Sequence, residues 1–405
     1  MDTQNFITNK SGQTLEIYDT SSSKSGKVDV SSYTTSGNNL TLINNAGTLI
    51  IYGGTYTGGY AQNGAGIFNT GYFVMHNGTI SGNSTYDYGS GGGVLCDGGV
   101  FVFEKGKITN NSSVYGAGVY LRNSSLKIYE GLINNNFYTC EGSDSTNVYG
   151  VGVYSFNSSL VMLGGEISEN KCCANKAYGI GIYNDGSTFI MYDGKVTGND
   201  YYSASKYSTA SVVYGVGICN TGHFDHGVAE YPLRGTVMVY DGEISDNSTT
   251  NHADANHIVY GAGVCLDTSE HNGNYVIFKT AGGKICNNGT VTSNYIYYGA
   301  GIYATYACLL DLSTSEISKN GSIYTGSGID DTSYGGGIYL GHYSDADLVC
   351  NLYDVKIQNN KANFGAGVCC SYDATLNIFG TTEISNNNSN GQAPAGIYVN
   401  YATVN

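Results

Sequence analysis

The stretch VYGAGVY, residues 114–120, sets two glycines between two tyrosines. Taken alone, Gly116 and Gly118 look like the start of a phosphate-cradling loop. A dinucleotide fingerprint, however, needs a third glycine three residues on, opening a helix after a strand. Val119, Tyr120 and Leu121 stand there instead. The phrase is one copy of many. It returns as VYGVGVY at 148, AYGIGIY at 177, VYGVGIC at 213, VYGAGVC at 259, YYGAGIY at 297, SYGGGIY at 333 and NFGAGVC at 363. Looser copies stand at 63 (NGAGIF), 91 (GGGVLC) and 393 (APAGIY), so that eleven anchors have second glycines 25 to 46 residues apart. A unit of that size, repeated, means a solenoid, propeller or array.

Each interval between anchors carries two further phrases. One alternates apolar and polar residues, and the next reads Ile or Val, two residues, Asn: FVFEKGKITNN, LKIYEGLINNN, FIMYDGKVTGN and VMVYDGEISDN are examples. Three short strands and three corners per repeat follow. Alternation sets their facing, with Val119, Leu126 and Ile128 inward and Tyr120, Lys127 and Tyr129 outward. Asn111, Asn136, Asn170, Asn199, Asn247, Asn288, Asn320, Asn360 and Asn387 close the third strand. Asparagine tolerates left-handed backbone and bonds its own turn, which suits a stacked corner. The sequence therefore predicts an all-β, single-stranded parallel β-helix (β-solenoid) of about eleven coils, with equivalent strands ~4.8 Å apart.

The residue before the Ile or Val of the third phrase tests that stacking. It runs Glu166, Lys195, Glu243, Lys284, Glu316, Lys356, Glu383, alternating in sign through seven successive repeats. If one repeat is one coil, these side chains form an outward column in which each charge lies between two opposite ones. Exposed pairs contribute only about 0.2–1 kcal/mol each. The column is therefore a mark of register, and burial inside the coils must supply the stability.

The bulk numbers agree. A chain of 405 residues exceeds the ~250–300 at which single cores stop growing, and a solenoid escapes that limit by adding coils. Charged residues are 12%, with Gly 59, Tyr 38 and Pro 2, a composition poor in helix formers and rich in strand and turn residues. A net charge of -15 without a basic cluster argues against nucleic acid or an anionic membrane as partner. No apolar run approaches the ~18–20 residues of a membrane span, and MDTQNFITNK lacks the basic start and apolar stretch of a secretory signal. The eleven cysteines show no metal-type spacing. Cys140 and the pair Cys172 and Cys173 fall in equivalent insertions of adjacent repeats, which allows one disulfide in an oxidising compartment.

Glycine anchors of the GAGI and GGGI kind, alternating with an apolar residue two before asparagine, resemble the repeats of polymorphic outer membrane proteins and related adhesin-like proteins. The resemblance covers about residues 48–400 and implies a right-handed parallel β-helix of pectin-lyase type, surface display and adhesion. Two departures stand out: the family's usual Phe is Ile or Val here, and no autotransporter barrel follows GIYVNYATVN. Residues 1–47 lack the anchor and are expected to form an N-terminal capping or first-turn region. Residues 48–405 are expected to form the β-helix repeats, with an uncapped C-terminal end whose open strands invite pairing with a further copy.

Two sets of residues are candidate sites. Tyr120, Tyr154, Tyr183, Tyr303 and Tyr339 follow the anchor glycines, and Tyr115, Tyr149, Tyr178, Tyr214, Tyr260, Tyr298 and Tyr334 precede them. Such columns either stabilise a corner or present a hydroxyl-bearing aromatic binding surface for glycan or protein. The second set comprises His223, Asp225, His226, Glu230, Glu270 and His271, in insertions that leave the solenoid at one corner in adjacent repeats; they are solvated loops, a divalent metal site, or carboxylates for sugar-bond cleavage. No catalytic residue and no cofactor is assigned. The reading is a non-enzymatic structural or adhesive β-solenoid of a cell surface or extracellular fibre, self-assembling end to end, with a glycan or host-surface ligand. A virion-associated phage tailspike or fibre that binds glycan, and a polysaccharide-degrading enzyme, are the alternatives.

Overall fold

The computed structural model describes residues 4–22, 25–34, 39–139, 146–202, 211–222, 234–250, 257–267, 275–289, 295–323, 332–341, 347–391 and 394–405. The chain winds as a parallel β-helix. Its successive coils build three long sheets: a first of 15 strands that includes the GVY phrases, a second of 13 strands and a third of 12. Nearly every pairing is parallel and in register, and Leu40 with Tyr60 is an antiparallel exception. Parallel crossovers of this kind are right-handed in about 98% of cases.

Coil-by-coil register explains the core. In the first sheet Val94, Val119, Val153, Ile182 and Ile218 are successive partners. In the second, Phe73, Phe101, Leu126 and Leu160 are partners. In the third, Ile108, Ile133, Ile167, Val196 and Ile244 are. All are buried in one continuous apolar cluster that runs the length of the molecule, so alternate positions of every strand leave water together. The middle coils carry two strands more than the phrases suggest. A 4-stranded sheet begins at Phe137–Tyr138 and a 5-stranded sheet at Asn147–Tyr149, and they enclose a second apolar cluster around Val148, Ala177, Val213 and Val259.

The two anchor glycines have different jobs. Gly116, Gly150 and Gly179 sit at φ of 58°, 56° and 56°, where an L side chain is strained. Gly152 needs to be glycine for another reason: a Cβ there would meet the Gly181 carbonyl oxygen of the next coil at 2.5 Å.

The third-strand asparagines bond differently from the expectation. The left-handed residue is the one before each, as at Asn110 (φ 55°), Asn135 (54°) and Asn287 (58°). The asparagine itself bonds chiefly to neighbouring coils. Asn136 donates from Nδ2 to Asn170 Oδ1 at 3.1 Å and to the Ile108 carbonyl at 3.0 Å, while its backbone N–H also donates to Asn170 Oδ1. The same pattern links Asn83, Asn111, Asn136, Asn170, Asn199, Asn247, Asn288, Asn320, Asn360 and Asn387 in one unbroken ladder. Buried amides require such satisfaction.

The charge column is in register. Glu166, Lys195, Glu243, Lys284, Glu316, Lys356 and Glu383 are consecutive Cα partners. Gln4–Asn9, Thr14–Ile17 and Lys27–Asp29 supply one strand to each long sheet, so the coiling is already under way within residues 1–47. No helix among the described residues is long and apolar enough to cross a membrane.

Candidate functional site: the tyrosine files

The residues after the anchor glycines form one file on the outer face of the first sheet. Leu95, Tyr120, Tyr154, Tyr183, Cys219, Cys265, Tyr303 and Tyr339 are consecutive register partners. The residues before the glycines form a second file beside it, from Tyr115 through Tyr149, Tyr178, Tyr214, Tyr260 and Tyr298 to Tyr334. Within this second file the rings lie flat on one another. Tyr149 and Tyr178 have centroids 4.8 Å apart at 7°, and Tyr178 and Tyr214 have centroids 4.8 Å apart at 4°.

The two files also close on each other. Tyr149 and Tyr183 rings are 5.3 Å apart, and Tyr260 and Tyr303 rings 4.8 Å. Tyr183 and Tyr303 are consequently only 5% and 8% exposed, and both pack in a cluster with Tyr178, Cys219 and Cys265. Tyr120, Tyr154 and Tyr339 are partly exposed. All five predicted binding tyrosines are thus brought into one file, but two of them present almost nothing to solvent.

Burial governs their chemistry. It pushes the Tyr154, Tyr183 and Tyr303 phenols well above their usual range and raises Tyr120 to about 12. These hydroxyls remain protonated at physiological pH, so each can both donate and accept a hydrogen bond. Tyr154 donates to Asp185 Oδ2 at 3.1 Å, and Thr221 Oγ1 donates to Tyr183 Oη at 3.3 Å. Asp185 is 4% exposed, so a buried carboxylate sits against the aromatic files.

His223, Asp225, His226, Glu230, Glu270 and His271 lie outside the described residues. Among the described residues no group of three or more His, Cys, Asp or Glu side chains could hold a metal ion. Cys173 is disulfide-bonded; Cys140, the partner anticipated from sequence, lies outside the described residues. In the charge column, Lys195 Nζ reaches Glu243 Oε2 at 3.4 Å. Burial pushes the Glu243 carboxyl up. Hydrogen bonds from Cys286 and Ser245 and the nearby Lys195 charge outweigh that push, and its pKa ends below the ordinary value.

A third aromatic file is legible in the sequence only at Tyr129, as an outward residue, and not as a column. It occupies the position just after the last inward residue of the second strand, where the chain leaves the second sheet. Tyr18, Tyr52, Tyr129, Tyr192, Tyr240, Tyr353 and Phe379 all stand there between 38% and 56% exposed. Tyr18 stacks on Tyr52 at 4.3 Å, Tyr52 on His76 at 4.7 Å, Tyr192 on Tyr240 at 5.0 Å and Tyr353 on Phe379 at 4.7 Å. His76 Nδ1 lies 2.6 Å from Glu104 Oε2 in the next coil. The sequence carried the trace of this file in the final letters of FVMH, LKIY, FIMY, VMVY and LNIF. Of the aromatic files, it is the one with rings open to solvent along the molecule. No family model, no curated protein and no solved structure matches the chain, so its function is to be read from this geometry.

Proposed function

We propose that the protein is a rigid, non-enzymatic structural element of a cell surface or extracellular fibre, of the adhesin-like kind that its repeats resemble. It acts through contacts along its sides and associates with further copies. The observation that carries this reading is the asparagine ladder from Asn83 to Asn387, nine amide–amide hydrogen bonds of 2.9–3.1 Å with no break. A ladder of that length resists bending and sliding of one coil on the next, which favours a stiff rod. Two further features support the placement. The Cys173 disulfide suits an oxidising compartment, and the solvent-exposed rings of Tyr18, Tyr52, Tyr192 and Tyr240 are the kind of rigid contact area that recognition surfaces use.

Electron microscopy of the purified protein, together with antibody labelling of intact producing cells, tests the proposal. Rods about 60 Å long per chain, from the thirteen stacked strands of the second sheet at ~4.8 Å, with higher-order fibres and label on unpermeabilised cells, are the expected result. Label only after permeabilisation, with single rods at every concentration, would overturn it.

A further inference from the structure

We infer that the corner between the first sheet and the strand entering it, in the N-terminal coils, is a binding pocket for one neutral saccharide ring. From Tyr115 and Tyr120 onward this corner is filled by the two tyrosine files. Followed the other way, the files change character. Tyr120 pairs back to Leu95, and the register continues to Phe68 and then Asn44, while Tyr115 pairs back to Ser90 and then Asn63. Where later coils set ring against ring, these coils set Asn63 and Ser90 against Asn44, Phe68 and Leu95.

The result is an open cavity of about 320 Å³ lined by those five residues with Asn5, Thr41, Tyr120 and Arg122. That volume lies at the small end of the range of ligand pockets. Phe68, Leu95 and Tyr120 contribute its apolar lining. Its polar lining includes Asn44, Asn63 and Ser90, whose amides and hydroxyl both donate and accept, as a ring bearing several hydroxyls requires. Arg122 is held by Asp97, with Nε to Oδ1 at 2.8 Å and Nη2 to Oδ2 at 2.5 Å. The guanidinium charge is therefore matched on the spot, and an anionic ligand gains little over a neutral one. A flat, polar-edged ring, a tyrosine, fills this corner in the coils from Tyr115 to Tyr334. In the early coils that place is open to a ligand of similar size.

The test is saturation-transfer NMR on the full chain. The neutral probes are the methyl glycosides of glucose, galactose, mannose and N-acetylglucosamine, with glucuronate and phenol as counter-probes. At least one neutral glycoside should bind in the millimolar range usual for a single small ring. Ser90→Tyr, which extends the stack on Tyr115, should abolish that binding. Asn44→Ala should weaken it about tenfold, the typical worth of one hydrogen bond. If Ser90→Tyr fails to fold by circular dichroism, Asn44→Tyr fills the pocket from the other file and carries the same expectation. Saturation of none of the neutral glycosides, stronger binding of glucuronate or phenol, or binding that survives the folded filling variant would each overturn the inference.

Discussion

Asn199 and Asn247 are 48 residues apart in sequence, yet the Asn199 side chain donates to Asn247 Oδ1 at 2.9 Å. This is the longest interval between consecutive members of the ladder, yet the bond is as short as that from Asn170 to Asn199 across 29 residues, so the corner asparagines keep register whatever the length of chain between them. Replacing Asn199 with Ala removes the donor to Asn247 Oδ1 and to the Ile167 carbonyl. It also removes the acceptor for Asn170. Buried polar groups left unmatched cost about 1–3 kcal/mol. Chemical denaturation should show a loss of that order, and an unchanged midpoint would contradict the role given to the ladder.

The anchor glycines offer a matched pair of substitutions. A Cβ on Gly152 would lie 2.5 Å from the Gly181 carbonyl oxygen, whereas one on Gly396, at the equivalent place in the last coil, meets nothing within 4 Å. Gly152→Ala is expected to destabilise by more than ~2 kcal/mol through backbone displacement. Gly396→Ala should be neutral or slightly stabilising, because it restricts the unfolded chain. Equal melting temperatures for the two variants would show that coil spacing does not dictate these glycines.

Acid should weaken the protein through Asp97 and Glu316. The hydrogen bond from Arg122 holds the Asp97 carboxyl below its usual range, and that from Ser318 does the same for Glu316. A carboxyl depressed in the folded state adds stability above its unfolded pKa and loses it as pH falls through the folded one. Stability should thus hold from neutral pH down to about pH 4 and then decline. Asp97→Asn should remove part of that slope in a denaturation series against pH, and an identical slope in the variant would rule out the pairing.

Alkali should act through the tyrosine files. Burial raises the Tyr154, Tyr183 and Tyr303 phenols in the folded chain. Their contribution is therefore complete below the unfolded value of about 10 and is lost as pH climbs toward the folded values. An ultraviolet titration should show one group of phenols ionising normally and another ionising only together with unfolding. A single smooth transition would contradict the packing of the two files.

Much of this was legible in the sequence because it is written once per coil. The sign alternation from Glu166 to Glu383 survives in sequence because each column member sits at a fixed offset from its Ile or Val, whatever the length of the insertions. The burial of Tyr183 and Tyr303 was not legible. Each lies on an outward position of its strand, and it is covered by Tyr149 or Tyr260 from a different coil and a different phrase. Nor was the position of the left-handed residue, since Asn110 and Asn111 are identical letters with different duties. The exposed file through Tyr52 and Tyr240 was legible only in part: alternation placed Tyr129 outward, but the position carries Glu104 and Leu163 in other coils, which breaks up the column in the sequence.

The most direct measurement of the central claim is cysteine cross-linking along the charge column. Lys195 and Glu243 are Cα partners in adjacent strands, and Lys284 is the next partner after Glu243. In a background whose native thiols are blocked or mapped, Lys195→Cys with Glu243→Cys should form a disulfide readily. Lys195→Cys with Lys284→Cys, two coils or about 9.6 Å apart, lies beyond disulfide reach and should not. Efficient cross-linking of the second pair and none of the first would show that the repeats are not stacked one to a coil.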